Sequence, residues 1–150
     1  MADQDPVAIV HEYFTACNAH DIEWVKRCHA EAAVNYDSCR PESPVRGREA
    51  IGALWTRVFR NLPDIRWRED QIFGKGDQVV VEWTLWATFP KGLVSASGAD
   101  LYEVRDGLIQ NVRQYWDASA FRLYGGLKSA DAIDWSRDME KPALPYPPAE

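Results

Sequence analysis

Tyr13, Asp37 and Asp100 are the residues of this chain whose types and positions suit proton transfer. They fall on a helical stripe, at the end of a short β-branched run, and in the alternating stretch 99–121 that closes on Tyr115-Trp116-Asp117. A carboxyl group in an apolar cleft has its charged form disfavoured, so its pKa rises. It then acts as a base near neutrality, or stays protonated and donates a hydrogen bond. A buried phenol adds a second donor. Plainer readings of the same residues stand beside this one: an Asp at a strand end suits a turn, and a Tyr on an amphipathic helix suits a core. Spacing alone leaves both open.

The elements that must position these groups follow from periodicity. Val7, Val10, Phe14 and Cys17 recur at helical spacing, widened by Ile9, Tyr13 and Ala16, which predicts a helix over 5–18. Asn18-Ala19-His20 ends it, and Asp21 is an N-cap for a short second helix carrying Ile22, Trp24, Val25 and Cys28. Residues 33–37 read as a short strand, broken by the polar run 38–44. A third helix over 47–61 carries Ile51, Leu54, Trp55, Val58 and Phe59 on one face. The period then drops to 2, predicting strands over 65–73, 78–89, 93–105 and 108–116, with Asp106-Gly107 as a tight hairpin turn. Helices first and hairpins afterwards is an α+β pattern: three N-terminal helices packed on a curved antiparallel sheet. Residues 1–135 form one domain in this reading, and 136–150, with four prolines, a tail.

The totals restrict partners. A net charge of -6, with the 17 Lys and Arg scattered, argues against nucleic acid or an anionic membrane as partner. There is no charged-then-apolar leader and no apolar run near the ~20 residues of a membrane span, so a cytoplasmic protein is expected. Cys17, Cys28 and Cys39 lack the close pairing of zinc or redox sites and read as free thiols, two on helices and one in a loop. His11 and His29 are placed on helices, exposed or capping, and no metal site is expected. Seven Trp, six Tyr and five Phe suit an apolar cavity with polar handles, and equally a core.

Three sets of residues carry a resemblance: 11–13 His-Glu-Tyr leading to 18–21 Asn-Ala-His-Asp, 46–51 Arg-Gly-Arg-Glu-Ala-Ile, and 102–109 Tyr-Glu-Val-Arg-Asp-Gly-Leu-Ile leading to Gln114-Tyr115-Trp116. Over residues 6–127 the chain resembles the nuclear transport factor 2-like superfamily, specifically its SnoaL-like and ketosteroid isomerase-like enzymes. The resemblance implies a cone-shaped α+β barrel and pairing of two copies through the outer sheet face. In ketosteroid isomerases one Asp moves a proton while a Tyr and a protonated Asp hold the enolate oxygen. Carried onto this chain, that makes Asp37 the base, Tyr13 the phenol and Asp100 the protonated donor. Trp116, Trp55, Phe59, Trp86, Tyr115 and Asp117 are then candidates for the substrate wall. Ser38 follows Asp37 where the family commonly has Pro, and Tyr115 stands where SnoaL-type cyclases use an Asp.

Two functions fit these readings. One is an acid–base enzyme without a cofactor, of isomerase, cyclase or dehydratase type, acting on a small hydrophobic carbonyl compound through an enol or enolate. The other is a non-catalytic binding or assembly protein of the same fold. A cavity of about 300 Å³ or more with both Asp37 and Asp100 pointing into it favours the first, and a cavity plugged by Trp side chains the second.

Overall fold

The computed structural model describes residues 4–40, 42–89, 92–119 and 121; the expected tail at 136–150 and the domain boundary at 135 lie outside them. Helix α1, Pro6–Ala19, starts where the Asp5 side chain accepts from the Val7 amide and Pro6 supplies a preset φ. It ends at His20, whose φ of 55° closes the helix in the left-handed region. Asp21 then caps α2, Ile22–Arg27, by accepting from the Trp24 amide at 2.9 Å. Helix α3, Arg48–Asn61, buries Ile51, Leu54, Trp55 and Phe59, the stripe its sequence spacing lays out.

Six strands make one sheet: β1 His29–Asp37, β2 Val45–Arg46, β3 Arg66–Lys75, β4 Gln78–Phe89, β5 Gly92–Arg105 and β6 Leu108–Trp116. Their spatial order is β2-β1-β6-β5-β4-β3, so the sheet curls without closing and keeps β2 and β3 as edges. All pairings are antiparallel except β1 with β6, which is parallel and aligns Asp37 with Gln114. Helix α1 packs across β3 and reaches β4, β5 and β6, while α3 lies on β1 and α2. The core sits between these helices and the inward face, where Val79, Val81, Trp83, Leu85, Ala87 and Phe89 alternate along β4.

Two differences from the sequence reading concern the first strand. β1 begins at His29, four residues earlier than expected, so His29 is a strand residue and fully buried rather than a helical surface residue. Its Nδ1–H donates to the Val25 carbonyl at 2.8 Å, which ties the start of the first strand to α2, and its ring stands edge-on to Tyr13. The two-residue strand β2 has too few residues to leave a period. Among the described residues Cys17, Cys28 and Cys39 form no disulfide; Cys17 and Cys28 are buried, and burial pushes Cys28 up to about 12. None of the described helices is long and apolar enough to cross a membrane.

Candidate active site

Asp37, Gln114 and Asp100 form a row across three strands, because β1 aligns Asp37 with Gln114 and β5 aligns Asp100 with Gln114. The second alignment depends on a bulge. The Asp106-Gly107 turn, with φ of 55° and 71°, pairs Arg105 with Leu108 and Val104 with Ile109; the register then slips, and Glu103 faces Asn111. Without that extra residue Arg113 would stand opposite Asp100. The slip replaces a cation by a neutral amide.

The consequence is electrostatic. Asp100 is buried, and burial pushes its carboxyl up to about 7, against the pull of donors from Tyr102, Trp83 and Gln114, with the nearby Asp37 charge adding to the rise. Tyr102 donates to Asp100 Oδ2 at 2.7 Å and Gln114 Nε2 at 3.3 Å. The Trp83 N–H exerts its pull without a hydrogen bond of ordinary geometry, and Oδ1 is likewise without one. Tyr13 is also buried, and burial raises its phenol well above the usual value, with Cys17 and Asp100 adding to it. Its hydroxyl makes no hydrogen bond of ordinary geometry. Tyr13 and Asp100 share a small hollow of about 10 Å³ with Phe14, Cys17 and Tyr102.

Asp37 belongs to a different space. It lines a cavity of about 470 Å³ together with Arg40, Trp55, Trp83, Trp116 and Phe121, among others. Trp55, Trp67 and Gln114 line both spaces and so divide them. Asp37 Oδ1 accepts from Trp116 Nε1 and from the Cys39 amide, both at 2.8 Å. Oδ2 faces Arg40 Nη2 at a looser 3.4 Å. Among the described residues no group of His, Cys, Asp and Glu could hold a metal ion.

The structure therefore separates the three expected catalytic groups: Asp37 is in the large cavity, while Tyr13 and Asp100 lie behind the wall that Trp55, Trp67 and Gln114 make. Of the expected binding residues, Trp55 and Trp116 line the cavity. Phe59 is buried behind it, stacked on Trp55 and His20. Trp86 is a correction: it lies three residues from the inward Trp83, hence on the opposite face, with the Arg68 guanidinium over its ring. Tyr115 likewise alternates away from Gln114 and Trp116 and packs on Tyr36. Asp117 is exposed and accepts from Ser119 beyond the strand.

Three contributors were not foreseen. Arg40 sits in a polar run that reads as loop surface. Gln114 was recoverable, since it shares parity with Trp116. Gly98 faces both Trp83 and Trp116 across the sheet, and a Cβ there would come within 2.7 Å of both side chains. That close approach lets the two indoles meet at 6.3 Å over the strand.

Comparison with known proteins agrees with this architecture. A family model described as a SnoaL-like domain matches residues 10–112. Wild-type IdmH, a putative polyketide cyclase from Streptomyces antibioticus, superposes with a TM-score of 0.72 at 22% identity, over 82% of this chain and 99% of that one. A putative SnoaL-like polyketide cyclase from Jannaschia sp. CCS1 gives 0.71 at 19%, over 85% and 95%. A hypothetical protein with a ketosteroid isomerase-like fold from Catenulispora acidiphila, in complex with trimethylamine, gives 0.72 at 19%, over 80% and 93%. No curated protein matches the chain by sequence. With the family model covering most of the chain, and the same fold in the similar structures, the protein belongs to the SnoaL-like family.

Proposed function

We propose that the protein is an acid–base catalyst of isomerase or cyclase type that acts, without a cofactor, on a small hydrophobic carbonyl compound through an enolate. The observation that carries this reading is Asp37, a buried carboxylate at the wall of an aromatic-lined cavity of about 470 Å³, held at Oδ1 by two N–H donors. Those two bonds fix the carboxylate plane and leave Oδ2, with its looser contact, as the oxygen that takes a proton from carbon. The volume suits a skeleton of two or three fused rings, and the indoles of Trp55, Trp83 and Trp116 supply flat apolar walls. Two similar structures are putative polyketide cyclases, which supports a reading of this type.

Asp100 and Tyr13 do not contact substrate in this proposal. Asp100 accepts from Gln114 Nε2 and so fixes that amide in the wall between the hollow and the cavity. We further propose a homodimer through the outer sheet face, where Phe73 and Leu93 are 62% and 68% exposed. The test of the catalytic reading is proton exchange at carbon. With β-tetralone as a model ketone in D₂O, proton NMR is expected to show α-proton loss faster than in buffer; no acceleration with β-tetralone or other bicyclic aryl ketones contradicts it.

A further inference from the structure

Arg40 is the cationic group nearest the proposed base, and half of its fork has nothing to bind. Nη2 lies 3.4 Å from Asp37 Oδ2, while Nη1 is buried without a hydrogen-bond partner. The guanidinium carbon stands 5.8 Å from the centre of the Trp55 ring, which holds the planar fork in place at the cavity wall. Buried donors are normally satisfied by protein, water or ligand. A guanidinium that lines the cavity beside a base, with one nitrogen unsatisfied, has donor capacity left for an acceptor brought by the occupant.

We propose that Arg40 is a second catalytic residue, whose guanidinium at the cavity wall holds the oxygen on which negative charge develops; this rests on the reading of Asp37 as the base. The carbonyl oxygen of the substrate lies against the Arg40 fork, which turns to present a free N–H, and Asp37 Oδ2 takes the proton from the adjacent carbon. The C–H pair becomes the new C=C bond, the carbonyl π pair moves to oxygen, and Asp37 becomes neutral. Total charge is unchanged, since the negative charge passes from the carboxylate to the enolate while Arg40 stays positive. The guanidinium exchanges one anionic partner for another, so no step leaves a buried cation alone. A fork serves both partners at once, which a single ammonium does less well. The substrate class sharpens accordingly: a planar ketone or β-dicarbonyl compound whose ionised form spreads charge onto oxygen.

A charge-exchange site makes a prediction that simple anion binding does not. While Asp37 is ionised it repels an anion from Arg40, so the site is primed for one only after proton transfer. Asp37→Asn mimics that later state. Calorimetric titration of 2-naphthoate, a delocalised oxyanion on a flat skeleton, and of the neutral 2-naphthamide separates the cases. Asp37→Asn is expected to tighten naphthoate by about tenfold or more and to leave naphthamide little changed. Adding Arg40→Gln is expected to abolish the gain, and adding Arg40→Lys to retain part of it; the lysine variant decides if the glutamine one does not fold. An unchanged naphthoate affinity in Asp37→Asn, or a gain that persists with Arg40→Gln, overturns the role of Arg40. Binding of naphthamide in those cases leaves the ligand cavity intact as a reading. If neither compound binds any variant, the cavity reading falls and this inference with it.

Discussion

The large cavity and the small hollow behind it contain the same kinds of group and treat them in opposite ways. In the cavity, Asp37 meets two N–H donors and a guanidinium, and about 470 Å³ of space lies in front of it. In the hollow, Asp100 has neutral donors from Tyr102 and Gln114, no facing cation among the described residues, and about 10 Å³. Its carboxyl is pushed up to about 7 by burial. Room and access mark the carboxylate that can reach a substrate. Asp100, raised by burial, belongs to the scaffold behind it.

The contrast breaks most visibly at Asp37. Replacement by Asn keeps an acceptor for Trp116 and Cys39 while removing the base, and catalysed proton exchange is expected to fall about 10²–10⁴-fold, measured by NMR. Gly98 comes next. Gly98→Ala places a methyl within 2.7 Å of Trp116 and Trp83 side-chain atoms and the Tyr115 carbonyl, so a loss of about 1–3 kcal/mol in urea unfolding is expected, with changed indole fluorescence.

A third test uses pH. Asp100 is raised to about 7 and His29, fully buried, is lowered to about 4. The raised Asp100 contributes stability fully below its unfolded value, lost as pH rises towards 7. The lowered His29 contributes stability fully above its unfolded value, lost as pH falls towards 4. Between about pH 4 and 6.5 the two slopes oppose each other, each on the order of 1.4 kcal/mol per pH unit. Asp100→Asn should therefore make the protein lose stability on acidification through this window, and His29→Phe should make it gain relative to wild type. Urea midpoints at a series of pH values check both. If neither substitution alters the pH dependence, Asp100 and His29 are not buried as described. The smallest effect is expected at Trp86, on the outer face: Trp86→Ala should leave naphthamide affinity unchanged, whereas Trp116→Ala should weaken it.

Much of the scaffold was legible because its signals are local. The Asp21 cap, the stripe from Ile51 to Phe59 and the Asp106-Gly107 turn each rest on residues a few positions apart. Asp37 could be nominated for the same reason, as a strand-end acid with parity opposite to Tyr36. What was not legible depends on contacts distant in sequence. His29 joins a strand because β6 is there to receive it, through the Ile109 amide and the Cys28 carbonyl. The bulge before Val104 decides whether Asp100 faces Arg113 or Gln114, and nothing in the local pattern announces it. Trp86 takes the outer face because period 2 sets it opposite Trp83, and an aromatic side chain by itself does not say which face it takes. Arg40 has no periodic signal at all, and its importance comes from folding a polar loop back onto Trp55.

The division between cavity and hollow is tested most directly by β-tetralone exchange in D₂O, comparing wild type, Asp37→Asn and Asp100→Asn at one pH below neutrality. Wild type should accelerate exchange, Asp37→Asn should lose nearly all of the acceleration, and Asp100→Asn should stay within about tenfold of wild type. Exchange that survives in Asp37→Asn, or that is lost equally in Asp100→Asn, would contradict the assignment of the base to the open cavity.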